Sequence, residues 1–243
     1  MVNKQKIDNT MQNTYPEDLP KWLWLWVPVM VALFPYMMRL INIDTDSYVF
    51  GEYGIIENLT FVILFMAIIL GVKALMKMNA FEFPVFKFWI SLLVLGCIYY
   101  AGEEVSWGQH WFGWDTPDSW MDVNDQGETN LHNTSALLDQ VPRMLLTISA
   151  VVGGVLIPVY LLIRNRVFSS MEFFGWLWPT RVNIPTCLLA VLVSVHEKVY
   201  KLFGTTVPDV LDIRAGETKE CLLAMFLFMY LASFYKRLTE VYE

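Results

Sequence analysis

An all-α integral membrane fold is predicted: a bundle of six transmembrane helices, both termini cytoplasmic, with a tryptophan-rich helical cap on the non-cytoplasmic side. Three observations predict it. Six apolar stretches punctuate a 243-residue chain that is 56% hydrophobic, most of them close to the ~20 residues that cross a bilayer. Basic residues gather in alternate loops. Acidic residues gather in the others, mixed with tryptophan between positions 103 and 143.

The stretches run over residues 22–40, 55–76, 84–101, 144–163, 184–200 and 221–234. Residues 1–20 form a polar N-terminal segment without a cleavable-signal pattern, so the first helix is expected to stay as a signal anchor. Residues 21–236 make the membrane domain, with 102–143 as a structured outer cap loop, and 237–243 make a short C-terminal tail. Lys4, Lys6, Lys21, Lys73, Lys77, Lys87, Arg164, Arg166, Arg181, Lys236 and Arg237 share one side with few acids, while 17 of the 24 acidic residues fall on the other. Such an excess of Lys and Arg marks the cytoplasmic side. The acidic face then looks outward, toward the periplasm or exterior if the membrane is a bacterial inner membrane.

Along the chain, Trp22, Trp24 and Trp26 suit the cytoplasmic interface, where amphipathic rings settle. Pro28 and Pro35 are expected to kink the first helix, because proline removes a donor and clashes with the preceding turn. Gly153-Gly154 permits a close helix approach in the fourth. In the cap loop, Trp107, Trp111 and Trp114 are spaced i, i+4, i+7, one face of a helix. The third helix is therefore expected to run on and bend along the membrane surface to Trp114, its tryptophans at the lipid interface. A second short helix is expected over 128–140, before Pro142.

Composition excludes several classes. A formal net charge of −7 argues against a nucleic-acid partner. Cys97, Cys187 and Cys221 form no CxxC pair and read as buried small hydrophobes. No H-E-x-x-H, G-x-S-x-G, Walker A or GxGxxG pattern occurs.

The ionisable residues converge at one depth. Glu57 opens the second helix, Glu103 and Glu104 close the third, His196 and Glu197 close the fifth, and Arg214, Glu217 and Glu220 open the sixth. The cap adds Glu128 and His132, one helical turn apart if helical. Carboxylates near hydrocarbon must pair, bind an ion or face water, so this many imply a shared polar pocket. One reading is a metal-dependent hydrolase or transferase acting on a lipid or lipid-linked substrate. Glu104, Glu128 and His132 would hold one divalent ion (zinc, iron or manganese), with Glu57, Glu103 and His196 as catalytic groups. Arg214, Glu217, Glu220, Gln109 and Asn133 would form a structural polar network. The alternatives are a non-catalytic subunit, assembly factor or receptor with an oligomeric or membrane-protein partner, and a cation channel or transporter with an acidic vestibule. Membrane lipids are the expected partners in each case.

Three segments resemble a family of uncharacterised bacterial multi-pass membrane proteins. They are Glu52-Tyr53-Gly54-Ile55-Ile56-Glu57, Glu103-Glu104-Val105-Ser106-Trp107-Gly108-Gln109 and Asn124-Asp125-Gln126-Gly127-Glu128 with His132-Asn133. The chain departs from that pattern at Tyr53, where Asp is usual, and at His110, where Arg is usual. The resemblance implies that Glu57, Glu104, Glu128 and His132 belong to one constellation. A looser likeness to ceramidase-like zinc hydrolases stops at the sixth segment, which has no histidine.

Overall fold

The computed structural model describes residues 19–41, 48–49, 54–78, 83–124, 127–166, 168 and 172–242. Glu52, Tyr53, Asp125, Gln126 and nearly all of the 1–20 segment lie outside the described residues. Among the described residues there are helices and turns and no strand. Six helices are long and apolar enough to cross a membrane: α1 (Trp22–Leu40), α2 (Ile55–Lys77), α3 (Val85–Glu104), α4 (Ala136–Ile163), α5 (Phe173–Leu202) and α6 (Ala215–Val241). That is an integral membrane protein by length and composition.

Burial separates one helix from the rest. The apolar window of α6 is 83% buried, against 22–39% for the other five. Cys221, Leu222, Leu223, Ala224, Met229, Leu231 and Phe234 are shut off from solvent on several faces of α6. Helices apolar all round belong inside a bundle, so α6 is the axle; α2, α5 and α1 pack on it, while α3 packs mainly on α2. The outer helices keep large exposed apolar residues, such as Phe65 and Met76 on α2, Phe88 on α3 and Leu156 on α4. Those faces suit lipid, since intrahelical bonds already satisfy the backbone.

Local chemistry sets the details. α1 opens on a π-helical turn, Trp22–Trp26, and carries Pro35 in its interior. α4 widens into a π-helical stretch, Ala150–Leu156. At Gly154 within it, an added Cβ would collide with the Cys187 thiol of α5, so glycine permits that approach. α5 is broken, with short helices Phe173–Leu177, Ile184–Leu192 and Val195–Leu202 joined by turns.

The cap departs from its sequence reading. α3 ends at Glu104, and Ser106 and Trp107 take left-handed backbones (φ 45° and 56°), followed by Gly108 at φ 103°. The chain turns back there instead of continuing as a surface helix, and only Gln109–Phe112 is helical before Gly113 turns left-handed again. Trp107, Trp111 and Trp114 therefore do not share a helical face. The helix expected over 128–140 is also different. A single 3-10 turn covers His132–Thr134, and α4 starts at Ala136 behind Ser135, whose hydroxyl caps the Leu138 N–H. Pro142 lies inside α4, where it gives up the bond to the Leu138 carbonyl, yet the helix continues through it.

Candidate functional site

The turn after α3 brings successive residues of one short segment to different tasks. Glu103 points its carboxylate at Leu131 and His132 of the cap. Its Oε2 accepts from the backbone N–H of Leu131 (2.7 Å) and of His132 (2.6 Å), and pairs with His132 Nδ1 at 3.0 Å. Its Oε1 accepts from the Trp107 indole N–H at 2.6 Å. A carboxylate that already accepts from three N–H groups faces Nδ1 as an acceptor, so the proton between it and the imidazole sits on Nδ1. In the neutral ring Nε2 carries the lone pair, and it makes no hydrogen bond among the described residues. The close seat of Trp107 requires Gly102, where an added Cβ would stand 2.8 Å from the indole ring.

A second cluster lies beside it. Glu128 Oε2 accepts from Ser106 Oγ and from Asn130 Nδ2, each at 2.5 Å, and Glu128 Oε1 meets His110 Nε2 at 3.2 Å. The other imidazole nitrogen of His110 faces Glu57 Oε2 at 4.0 Å, from the first turn of α2. Burial by itself raises the Glu128 carboxyl, but the hydrogen bonds from His110 and Ser106 outweigh it and hold the group below its ordinary value. Gln109 locks the same region: its amide donates to Thr116 Oγ1 (2.7 Å), and its carbonyl accepts from the Thr129 N–H (2.7 Å). These bonds hold Ser106 and Trp107 in conformations that cost of order 1–3 kcal/mol each.

The third feature is a cavity of about 300 Å³ between α3, α4 and α6. Its polar end is formed by Glu103, Glu104 and His132 with Asp139, Arg143 and Glu220. Its walls are Leu92, Leu93, Leu145, Leu146, Leu223 and Leu227. Leu92 and Leu145 are 48% and 57% exposed, so the apolar part opens sideways onto the face that lipid would cover. Arg143 bridges Asp139 (2.9 Å) and Glu220 (2.8 Å). Glu104 makes no hydrogen bond or ion pair among the described residues; the charges acting on it are Glu220, Glu217 and Glu57, opposed by Arg143.

These placements divide the residues singled out from sequence. Glu104, Glu128 and His132 do not form one ligand set: Glu104 lines the cavity, Glu128 is held by Ser106, Asn130 and His110, and His132 by Glu103. The spacing joins Glu128 to His132 only if residues 128–132 are helical, and they are not. Among the described residues no group of three or more His, Cys, Asp and Glu side chains stands together as a metal site. His196 lies apart from the cavity, with Nε2 2.8 Å from the Leu211 carbonyl and Nδ1 3.4 Å from the Tyr36 hydroxyl. Glu197 accepts from the Ala215 N–H at 2.7 Å and so caps α6. Arg214, in a left-handed backbone just before α6, and Glu217 are electrostatic neighbours. Trp111 donates to Asn58 (3.2 Å) and Trp114 to Thr129 (3.3 Å), yet both stay more than 40% exposed, as interfacial rings do.

Sequence reasoning missed Arg143 and Asp139. Their i, i+4 spacing was a usable signal, hidden because Pro142 was read as a helix boundary. No family model, curated protein or solved structure matches the chain. The functional reading therefore rests on this geometry.

Proposed function

We propose that this is a membrane enzyme that hydrolyses an acyl bond near the polar end of a lipid-like amphiphile, with His132 as general base and Glu103 as the group that orients it. The observation that carries the reading is the Glu103–His132 pair on the wall of a cavity that opens between exposed leucines. A carboxylate that fixes Nδ1–H leaves Nε2 to accept a proton, the arrangement on which hydrolytic triads depend. His132 is 27% exposed, enough for water to reach it. In the step proposed, Nε2 takes a proton from water as the water oxygen bonds to the acyl carbon. The bond from that carbon to the leaving atom then breaks, and the leaving atom takes the proton back from the imidazolium. Glu103 keeps its hydrogen bond throughout and stays ionised. The alkyl part of the substrate lies along the leucine wall. No step runs through a metal ion, since Glu104, Glu128 and His132 would have to leave their present positions to share one.

The leucine-lined floor favours this over ion conduction, because an ion needs polar groups along its whole path. Proteoliposomes made with a total polar lipid extract provide the test, with mass spectrometry of the lipids before and after incubation. A species consumed by the wild type and spared by His132→Gln supports the proposal. The same consumption by both proteins, or by neither, overturns it.

We place the site at the outer leaflet, as the positive-inside bias suggests. A cysteine introduced at Ser119 should then react with an impermeant thiol reagent in intact cells. The native Cys97, Cys187 and Cys221 are buried and give little background. Labelling of the Ser119 position only after permeabilisation would put the site on the cytoplasmic side.

A further inference from the structure

We infer that the occupant of the cavity is a single-chain amphiphile with a cationic amine head, the ammonium held between Glu104 and Glu220 and the chain along the α3–α6 leucines. The inference rests on the reading of the cavity as an amphiphile site, and adds the chemical class. Charge balance argues for it. The polar end carries the carboxylates of Glu103, Glu104, Asp139 and Glu220 against the guanidinium of Arg143. Asp139 and Glu220 share that one cation, and Glu103 is taken by His132, Trp107 and two backbone N–H groups. Glu104 has no such partner, and its acidic neighbours leave it beside an excess of negative charge.

A lone carboxyl at the edge of hydrocarbon either holds a proton or meets an opposite charge, and an arriving ammonium favours the ionised form over the neutral one. An anionic head, such as a phosphate or a carboxylate, would face Glu104 and Glu220 directly and add repulsion. A metal ion needs several donors converging on one point, which the described residues do not offer. An ammonium needs only acceptors spaced around it, with three N–H donors to share among them. Volume sets the number of chains. At about 300 Å³ the cavity is at the small end of ligand sites, which run to roughly 1,000 Å³. It takes one chain and leaves a second in the bilayer.

The test uses the full chain in lipid nanodiscs and three photoreactive probes of equal tail length, with a diazirine in the tail. Their heads are a primary ammonium, a hydroxyl and a carboxylate. After irradiation, mass spectrometry reads the labelling of the α3 and α6 peptides. The ammonium probe should label them about tenfold more than the carboxylate probe, the scale of one charge-assisted hydrogen bond. Glu104→Gln should lower ammonium labelling by about tenfold and leave hydroxyl labelling unchanged, which also shows that the variant is folded. Glu104→Asp should restore part of the preference. Equal labelling by the three heads in the wild type overturns the amine assignment while the cavity reading stands. Labelling of these peptides by none of the probes overturns both.

Discussion

Two imidazoles meet carboxylates at the cap end of the bundle, and they are held in different ways. His110 is enclosed, with its side chain 8% exposed and a carboxylate facing each ring nitrogen, Glu128 at 3.2 Å and Glu57 at 4.0 Å. His132 has one carboxylate on Nδ1 and keeps Nε2 open beside the cavity, with 27% of its side chain exposed. The first ties the cap to α2 and is a latch. The second keeps a basic nitrogen where a substrate would lie. An oriented ring with one nitrogen open can move a proton; a ring held at both nitrogens mainly holds structure.

The comparison breaks first on turnover. Once a consumed lipid is identified, His132→Gln should slow its hydrolysis by about 10²–10⁴-fold, the usual contribution of a positioned general base. His110→Gln should change that rate by less than about threefold at temperatures where the variant is folded, and instead lower its melting temperature. If the two effects exchange places, the roles assigned to the rings are reversed.

Acid sharpens the comparison next. Glu128 lies below its ordinary value when folded, so the stability it contributes is present above the unfolded value of ~4.3. It is lost as the pH falls through the folded value. The protection factors of the 106–116 amides, corrected for the intrinsic pH dependence of exchange, should therefore hold at neutral pH and fall below about pH 4. Glu128→Gln should remove that acid step and lower stability at pH 7 by about 1–3 kcal/mol, because Ser106 and Asn130 lose a charged acceptor. A variant with the acid step intact would show that another carboxylate controls the cap.

The smallest effect concerns the cap's aromatic contact with α2. Trp111 donates to Asn58 and meets Phe61 edge-on, with ring centroids 4.6 Å apart. Trp111→Phe should keep the ring contact, lose the hydrogen bond and cost about 0.5–1.5 kcal/mol of thermal stability. No change would mean that water replaces the bond and that this tryptophan serves the interface alone.

The bundle was readable in the sequence because hydrophobic length is a local signal. All six helices appear where the apolar stretches lie; the ends of the first three agree within three residues, whereas α4, α5 and α6 extend six to eleven residues beyond the stretches at one or both ends. The charged level at one end was readable for the same reason. What could not be read was the partner of each charge. Glu103 and His132 stand 29 positions apart and meet only because Ser106 and Trp107 adopt left-handed backbones. No residue preference announces this, since serine and tryptophan are not residues that favour positive φ. The regular tryptophan spacing then misled, because i, i+4, i+7 signals a helical face only where the helix continues. Arg143 was hidden by a similar inference, that proline ends a helix, whereas α4 runs straight through Pro142.

The central position of α6 bears on how the protein is made. A ribosome delivers α1 to α5 before α6, yet α6 is the element on which α1, α2 and α5 pack. At about 5–20 residues per second, the first five helices wait in the membrane without their axle for several seconds. During that interval Glu103 and His132 can already meet, since both precede α6 in the chain, but Arg143 lacks Glu220 and the cavity lacks its α6 wall. The nascent protein is thus a hollow sheath, open to lipid and to any insertion chaperone that shields polar groups. The arrival of α6 closes this bundle and completes the site in one event.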